Sequence, residues 1–439
     1  MRKLNRSLAP MIIAATLAFS ISPLIASAQV SGNDRGIAFG MADTIKDTIK
    51  KNYYDQTFHG VDIDFVFEQA KERLKAAETR DSLMVTLASA VMAFDDSHTT
   101  FIPPSRAATI EYGWQVGMVG DDCFITHVKP GSDAETKGIK PGDKLLAIDN
   151  FKPTRKNLWQ MYYRYYAIAP AAKVNMVIQS PGDSQQRTVA VQTKINKTGN
   201  LVSLQTFYDR GVVKKGWFDS KKLNEFAEFG DQLLVWKMHT FENTDQSIDF
   251  AMSKANKFKT LVIDLRGNGG GYVDALKRLV GHVFDKEIKI CDQKMRKTTK
   301  PQIAKSLGNT FNGQILVLID HDSASASELF ARVMQLESRG KVLGDKSAGA
   351  VMESEFFDLQ SGFGQDLFYG ASVTIADLIM ADGKSLEKVG VTPDETVLPI
   401  GKDLAENRDP VLSYAAKLAG VELSPEKAGA LFPYEWPKQ

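Results

Sequence analysis

Cysteine is scarce: Cys123 and Cys291 are the only two in 439 residues. No CxxC pair exists, and no two of the six histidines stand at zinc-ligand spacing, so neither a disulfide scaffold nor a zinc module is indicated. The two cysteines lie far apart and are expected in different domains as separate buried thiols. Charge of one sign is also lacking. A formal net charge of +1 gives no basis for nucleic acid or an anionic membrane as partner. Long apolar runs are missing after the first thirty residues, so nothing later in the chain is expected to cross a bilayer.

What is present begins with a basic segment, Met1-Arg2-Lys3-Leu4-Asn5-Arg6, followed by an apolar run from Met11 to Ile25. Pro23 interrupts the run and Ala26-Ser27-Ala28 ends it, the small-x-small pattern of a signal-peptidase site. Residues 1–28 therefore read as a signal peptide with Gln29 as the mature N-terminus. The alternative is an uncleaved anchor, for which the run is short. A bacterial periplasm or secretion is the expected destination. The remaining length allows two or three domains, and the hydrophobic and charged fractions, 43% and 24%, are those of globular chains.

Apolar residues recur at helical spacing at Val66, Ala70, Leu74 and Ala77, then at Leu83, Leu87, Ala88 and Val91. Residues 29–105 read as a helical segment that ends in a polar loop, Asp95-Asp96-Ser97-His98-Thr99, before Pro103-Pro104. From 106 to 196 the pattern changes to short strands and turns, with Pro130-Gly131-Ser132 and Gly138-Ile139-Lys140-Pro141-Gly142-Asp143 as punctuation. After a polar connector, residues 197–400 read as an α/β core. Leu261-Val262-Ile263-Asp264-Leu265 and Ile315-Leu316-Val317-Leu318-Ile319 suit strands covered on both faces. Residues 401–439 form a helical tail, in which Asp409-Pro410 opens a helix.

Two strand–loop–helix junctions carry candidate chemistry. In Asp320-His321-Asp322-Ser323-Ala324-Ser325-Ala326-Ser327-Glu328, a serine stands where free helix N–H groups and the dipole favour developing negative charge. The Ala326 N–H is a candidate oxyanion donor; alternatively the serines only cap the helix. In Asp264-Leu265-Arg266-Gly267-Asn268-Gly269-Gly270-Gly271, glycines turn backbone N–H groups toward a ligand. A plain turn or phosphate cradle is the alternative, but no Gly-Lys-Ser/Thr follows. Gly269 or Gly270 is the second candidate donor.

The 130–149 string looks like the PDZ domains of bacterial proteases, which bind an extended peptide beside a sheet edge. That resemblance puts the peptide-binding loop at Gly113, Trp114 and Val116. The Asp-Leu-Arg-Gly-Asn-Gly-Gly-Gly and Ser-Ala-Ser-Ala-Ser-Glu strings, with Glu387-Lys388-Val389-Gly390-Val391-Thr392-Pro393-Asp394, resemble the tail-specific (C-terminal processing) serine peptidases and the tricorn core. The resemblance spans residues 98–397. It implies a crotonase-like α/β core, an inserted PDZ domain, a protein or peptide substrate, no cofactor or metal, and Ser325 as nucleophile. The lysine base of the best-known members aligns with Ala350 in Gly344-Asp345-Lys346-Ser347-Ala348-Gly349-Ala350, and Lys346 matches an earlier lysine that is not the base. Other branches use serine, histidine and glutamate, which here fall on Ser325, His98 and Glu387. Neutral imidazole would take the serine proton, and the carboxylate would fix its tautomer. His321 is the rival base. Two other readings stay open: a catalytically silent peptide-binding scaffold of the same fold, and a hydrolase of small esters.

Overall fold

The computed structural model describes residues 30–202, 223–361 and 367–436. The expected signal peptide, residues 1–28, lies outside the described residues. No described helix is long and apolar enough to cross a membrane.

Three helices open the described chain: Gly32–Asn52, Ile63–Ala76 and Arg80–Met92. Side-chain caps from Ser31, Asp62 and Thr79 start them, each satisfying a backbone N–H that has no partner within the helix. Their apolar faces, including Ile45, Phe67, Leu74 and Leu87, pack on Phe101, Ala371 and Val373. The strand Thr100–Ile102 leaves this bundle and pairs antiparallel with Leu367–Met380, with Thr100 opposite Ser372. That pairing carries the polar loop at 95–99 onto the core.

A five-stranded antiparallel sheet follows, ordered Trp114–Val119, Asp122–Val128, Lys144–Ile148, Lys173–Gln179 and Gln186–Gln192. It has its own apolar core around Trp114, Ile125, Ile148 and Met176, as a folding unit inserted in the chain requires.

The polar connector expected before the core strands runs from about residue 196 to residue 230. Its described ends are strands, Lys194–Val202 and Asn224–Phe229. Charged residues on an edge strand hid the second of these.

The core sheet runs Glu395–Thr396, Lys341–Gly344, Gln314–Ile319, Thr260–Asp264, Leu233–Met238 and Asn224–Phe229. The first five strands are parallel and the last antiparallel. Alternate side chains divide between two apolar layers. Leu234, Trp236, Ile263 and Val317 face the helices Asp245–Ala255, Val273–Val283 and Ala326–Leu336. Leu233, Val235, Val262 and Leu316 face the terminal helix Pro410–Leu418. Coverage on both faces explains why these strands read as continuous apolar runs.

Arg266 ties the glycine loop to that terminal helix. It donates to Asp264 and, through both terminal nitrogens, to Asp409, the N-cap of Pro410–Leu418. Burial opposes ionisation of Asp264, yet the Arg266 and Lys237 charges hold its carboxyl well below the usual carboxylate range. Removing one partner of such a buried pair strands the other charge. Arg266→Ala is expected to lower stability by about 3 kcal/mol or more, which urea unfolding would measure.

Candidate functional site

The two strand ends that carry the sequence motifs are neighbours in the parallel sheet, and their loops lock together. Asn268 is fully buried. Its side-chain amide donates to Met238 O, its Oδ1 accepts from Gly270 N, and its carbonyl accepts from Ala324 N and Ser327 Oγ. From the other loop, Asp320 Oδ1 accepts from Gly267 N, Asp322 N and Ser323 N, and Ser323 Oγ donates to Leu265 O. These buried polar groups of the crossing thus find partners, as burial demands.

Ser325 stands at the tip of this junction, directly before the helix Ala326–Leu336, with φ 54° and ψ −118°. A left-handed φ at a residue with a side chain is strained, and such strain persists where surrounding contacts over-determine it. Gly270 makes the tight approach possible. A Cβ there would lie 2.7 Å from Ser325 Cβ, 2.9 Å from Ala324 O and 3.1 Å from Ala326 N. Gly270 also has φ 95°. Of the two candidate glycine donors, Gly270 N is engaged by Asn268 Oδ1 at 2.9 Å, and Gly269 is only partly buried.

The histidine loop is held by a buried carboxylate. Asp96 Oδ1 accepts from His98 N, Thr99 N and Thr374 Oγ1, at 2.9, 2.6 and 2.9 Å. Asp96 Oδ2 accepts from Tyr53 OH at 2.7 Å. Burial, and then the Asp96 charge, push the Tyr53 phenol well above its ordinary range, so it remains a donor.

Glu387 and His98 meet through a residue that sequence reasoning passed over. Ser97 N donates to Glu387 Oε1 and Ser97 Oγ to Glu387 Oε2, both at 2.8 Å, and Ser97 Oγ lies 2.7 Å from His98 Nδ1. Ser97 has one hydroxyl proton, and the acceptor-only carboxylate claims it. His98 Nδ1 then carries a hydrogen that it donates to Ser97 Oγ, which leaves Nε2 as the basic nitrogen. Burial raises the Glu387 carboxyl, opposed by hydrogen bonds from Val351 and Ser97. The serine between Asp96 and His98 was the available signal, but only a contact spanning 290 residues gives it a role.

A short loop joins this relay to Ser325. Val351 N donates to Glu387 Oε2 at 2.9 Å, and Ser325 N donates to the adjacent Ala350 O at 2.9 Å. Ala350 thus bonds Ser325 through its main-chain carbonyl. Lys346 is exposed, and its carbonyl accepts from Arg155.

His321 points elsewhere: its Nε2 accepts from Met118 N, on the edge strand Trp114–Val119 of the inserted sheet, at 3.1 Å. Asp320, His321 and Asp322 bring one ligand atom each within 4.8 Å of one another. The three backbone donors on Asp320 Oδ1 and the Met118 contact of His321 account for that cluster as a loop and domain fastening. On the same edge strand, Trp114 and Val116 are buried, and Val116 N and O both bond the Tyr162 hydroxyl. Gly113, at φ 74°, is pressed against Ser132. A cavity of about 470 Å³ opens here, lined by Met118, His127, Arg266, His321 and Tyr434, with Ser325 outside its walls.

With this geometry in view, comparison with known proteins is direct. Residues 232–397 match Peptidase family S41, and residues 105–158 match the PDZ domain. Residues 232–397 are thus a segment similar to peptidase family S41. It is 24% identical over 373 residues to the chloroplastic C-terminal processing peptidase of Tetradesmus obliquus, covering 80% of this chain and 75% of that one. It is 24% identical over 367 residues to the carboxyl-terminal-processing protease of Picosynechococcus sp., covering 80% and 82%. Its fold resembles that of mature CPAF complexed with lactacystin, with TM-score 0.63, 14% identity, and 88% and 98% of the two chains covered. The chain is thus a serine peptidase similar to the C-terminal processing proteases, with a PDZ domain. The stretch from the core strands to Glu387 lies inside the family match, whereas Ser97 and His98 precede both matched segments.

The close approach of Gly270 to Ser325 yields a test. Gly270→Ala would displace Ser325 or its neighbours and is expected to lower kcat/KM about 100-fold while the chain still folds. Peptidase assays beside circular dichroism melting would check this.

Proposed function

We propose that this serine peptidase is an exported endopeptidase that cleaves protein or peptide chains through an acyl-enzyme, with Ser325, His98 and Glu387 as its catalytic set. The observation that carries this reading is the Glu387–Ser97–His98 relay, which sets the imidazole tautomer that a serine nucleophile needs.

In this reading His98 Nε2 takes the Ser325 Oγ proton as the oxygen attacks the scissile carbonyl. The oxyanion of the tetrahedral intermediate is received by the Ala326 N–H and by the Gly269 N–H, because Gly270 N already serves Asn268. His98 then gives its proton to the leaving amine, and water releases the acyl group by the reverse sequence. Glu387, reaching the ring through Ser97, stabilises the imidazolium at each stage.

The PDZ unit would take an extended peptide beside Gly113, Trp114 and Val116, where binding must exchange the bonds now made by Tyr162 and His321. We read the α/β core as crotonase-like, supported by its parallel strands, which carry three helices on one face and the terminal helix on the other. Export rests on the basic and apolar opening of the sequence and its Ala26-Ser27-Ala28 end, which also support periplasmic or secreted placement.

Ser325→Ala is expected to fold normally and to abolish both hydrolysis and labelling by a fluorophosphonate serine reagent. Mass-spectrometric mapping of products from a denatured-protein digest would show the loss, and unaltered cleavage would refute the assignment. Ser97→Ala keeps nucleophile and imidazole but cuts the relay, and is expected to lower kcat on the order of 100-fold. Lys346→Ala should stay within about twofold of wild type, since a general base is worth far more than that.

A further inference from the structure

Glu328 is a fully buried carboxylate to which the proposed chemistry gives no task. It sits in the first turn of the nucleophile helix, three residues after Ser325. Its Oε1 accepts from Ser347 Oγ at 2.5 Å and Gly349 N at 2.8 Å. Its Oε2 accepts from Ala350 N at 2.9 Å and Ser325 N at 3.1 Å. All four partners converge on one group, and none of the four is charged.

We propose that Glu328 is a positioning residue, whose carboxylate clamps the main chain of Ser325 to the 347–351 loop and so sets the nucleophile against the residues that hold Glu387. The inference rests on the assignment of Ser325 and Glu387 above. The clamp extends beyond its four direct bonds. Ala348 N donates to Ser323 O, Lys388 N to Gly349 O, and Val391 N to Ser347 Oγ, so the loop is stitched to both motif segments. Val351 N, one residue past the clamped Ala350, is the donor to Glu387 Oε2. Gly349, at φ 72°, is in the close approach this requires: a Cβ there would lie 3.0 Å from Lys388 C and 3.1 Å from Gly390 N.

An ionised carboxylate suits this place because it offers acceptors only, and four donors face it. The N-terminal turn of a helix favours the negative charge as well. Burial pushes the carboxyl up to about 7 while the hydroxyl and the three amides pull it down. An apolar side chain of the same size would fill the space and leave those donors without acceptors.

Glu328→Gln keeps the shape but points an amide N–H₂ at one pair of donors, so at least one backbone N–H loses its acceptor. The experiment measures kcat and KM per folded molecule for Glu328→Gln and Ser347→Ala beside Ser325→Ala and His98→Ala. Glu328→Gln is expected to lower kcat about tenfold or more with KM held within about twofold, the split that loose packing alone would not produce. Should Glu328→Gln fail to fold, Ser347→Ala decides. It removes one donor and no charge, and is expected to lower kcat in the same direction by a smaller factor at constant KM. Wild-type kcat per folded molecule in the deciding variant overturns the inference. Loss of activity in Ser325→Ala and His98→Ala alongside that result leaves the catalytic assignment standing. Retained hydrolysis in those two variants would overturn the assignment and, with it, the role given to Glu328.

Discussion

The site depends on the crossing of two loops at the ends of adjacent parallel strands, and Asn268 is the pin. One side chain and its own carbonyl bond the strand Leu233–Met238, the glycine turn and the start of the helix Ala326–Leu336. A ligand- or substrate-facing turn must leave some backbone donors unused, which costs free energy wherever water is excluded. The crossing offsets that cost by pairing the donors of Gly267, Gly270, Ala324 and Ser323 with acceptors from the two loops. The left-handed φ of Ser325 is a consequence: its two flanking segments are fixed independently, and the serine takes the conformation that joins them.

A second constraint is distance along the chain. His98 arrives from the helical segment, Ser325 from a parallel strand and Glu387 from the turn after the long strand Leu367–Met380. Fixing such remote groups cannot be left to long side chains, whose ordering costs conformational entropy. The fold instead anchors backbone. Asp96 gathers the histidine loop onto Thr374 and Tyr53, while Val351 and Lys388 fasten the glutamate loop to 347–351. Short side chains then suffice at the centre, and Ser97 is a hydroxyl placed where a carboxylate and an imidazole can share it.

The core strands were legible because burial on both faces leaves no alternation to misread, and the first helices because one face of each is apolar. The glycine and serine strings were legible because their backbone geometry needs those residue types. Ser97 and Glu328 were not assigned, for a physical reason. A serine beside a histidine and a glutamate three residues into a helix each have an adequate local explanation, solvent exposure or a capping box. Their roles come from partners 290 and about 20 residues away, which no periodicity encodes. The edge strand Asn224–Phe229 escaped for the opposite reason: its sequence carries the charges that protect an edge, and they resemble a loop.

His321 shows how the same residue type divides by environment. Both His98 and His321 stand in polar loops next to aspartates, and sequence alone made them rivals. His98 Nδ1 is turned toward a hydroxyl backed by a carboxylate, which fixes the tautomer with its basic nitrogen at Nε2. His321 Nε2 accepts from a backbone amide of the PDZ sheet, so the nitrogen that would have to take a proton is already an acceptor in a fixed contact. A base engaged in that way must break a structural bond before each turnover, whereas the His98 arrangement holds its basic nitrogen through the other side of the ring. The tautomer argument therefore separates the two histidines on hydrogen-bond direction alone.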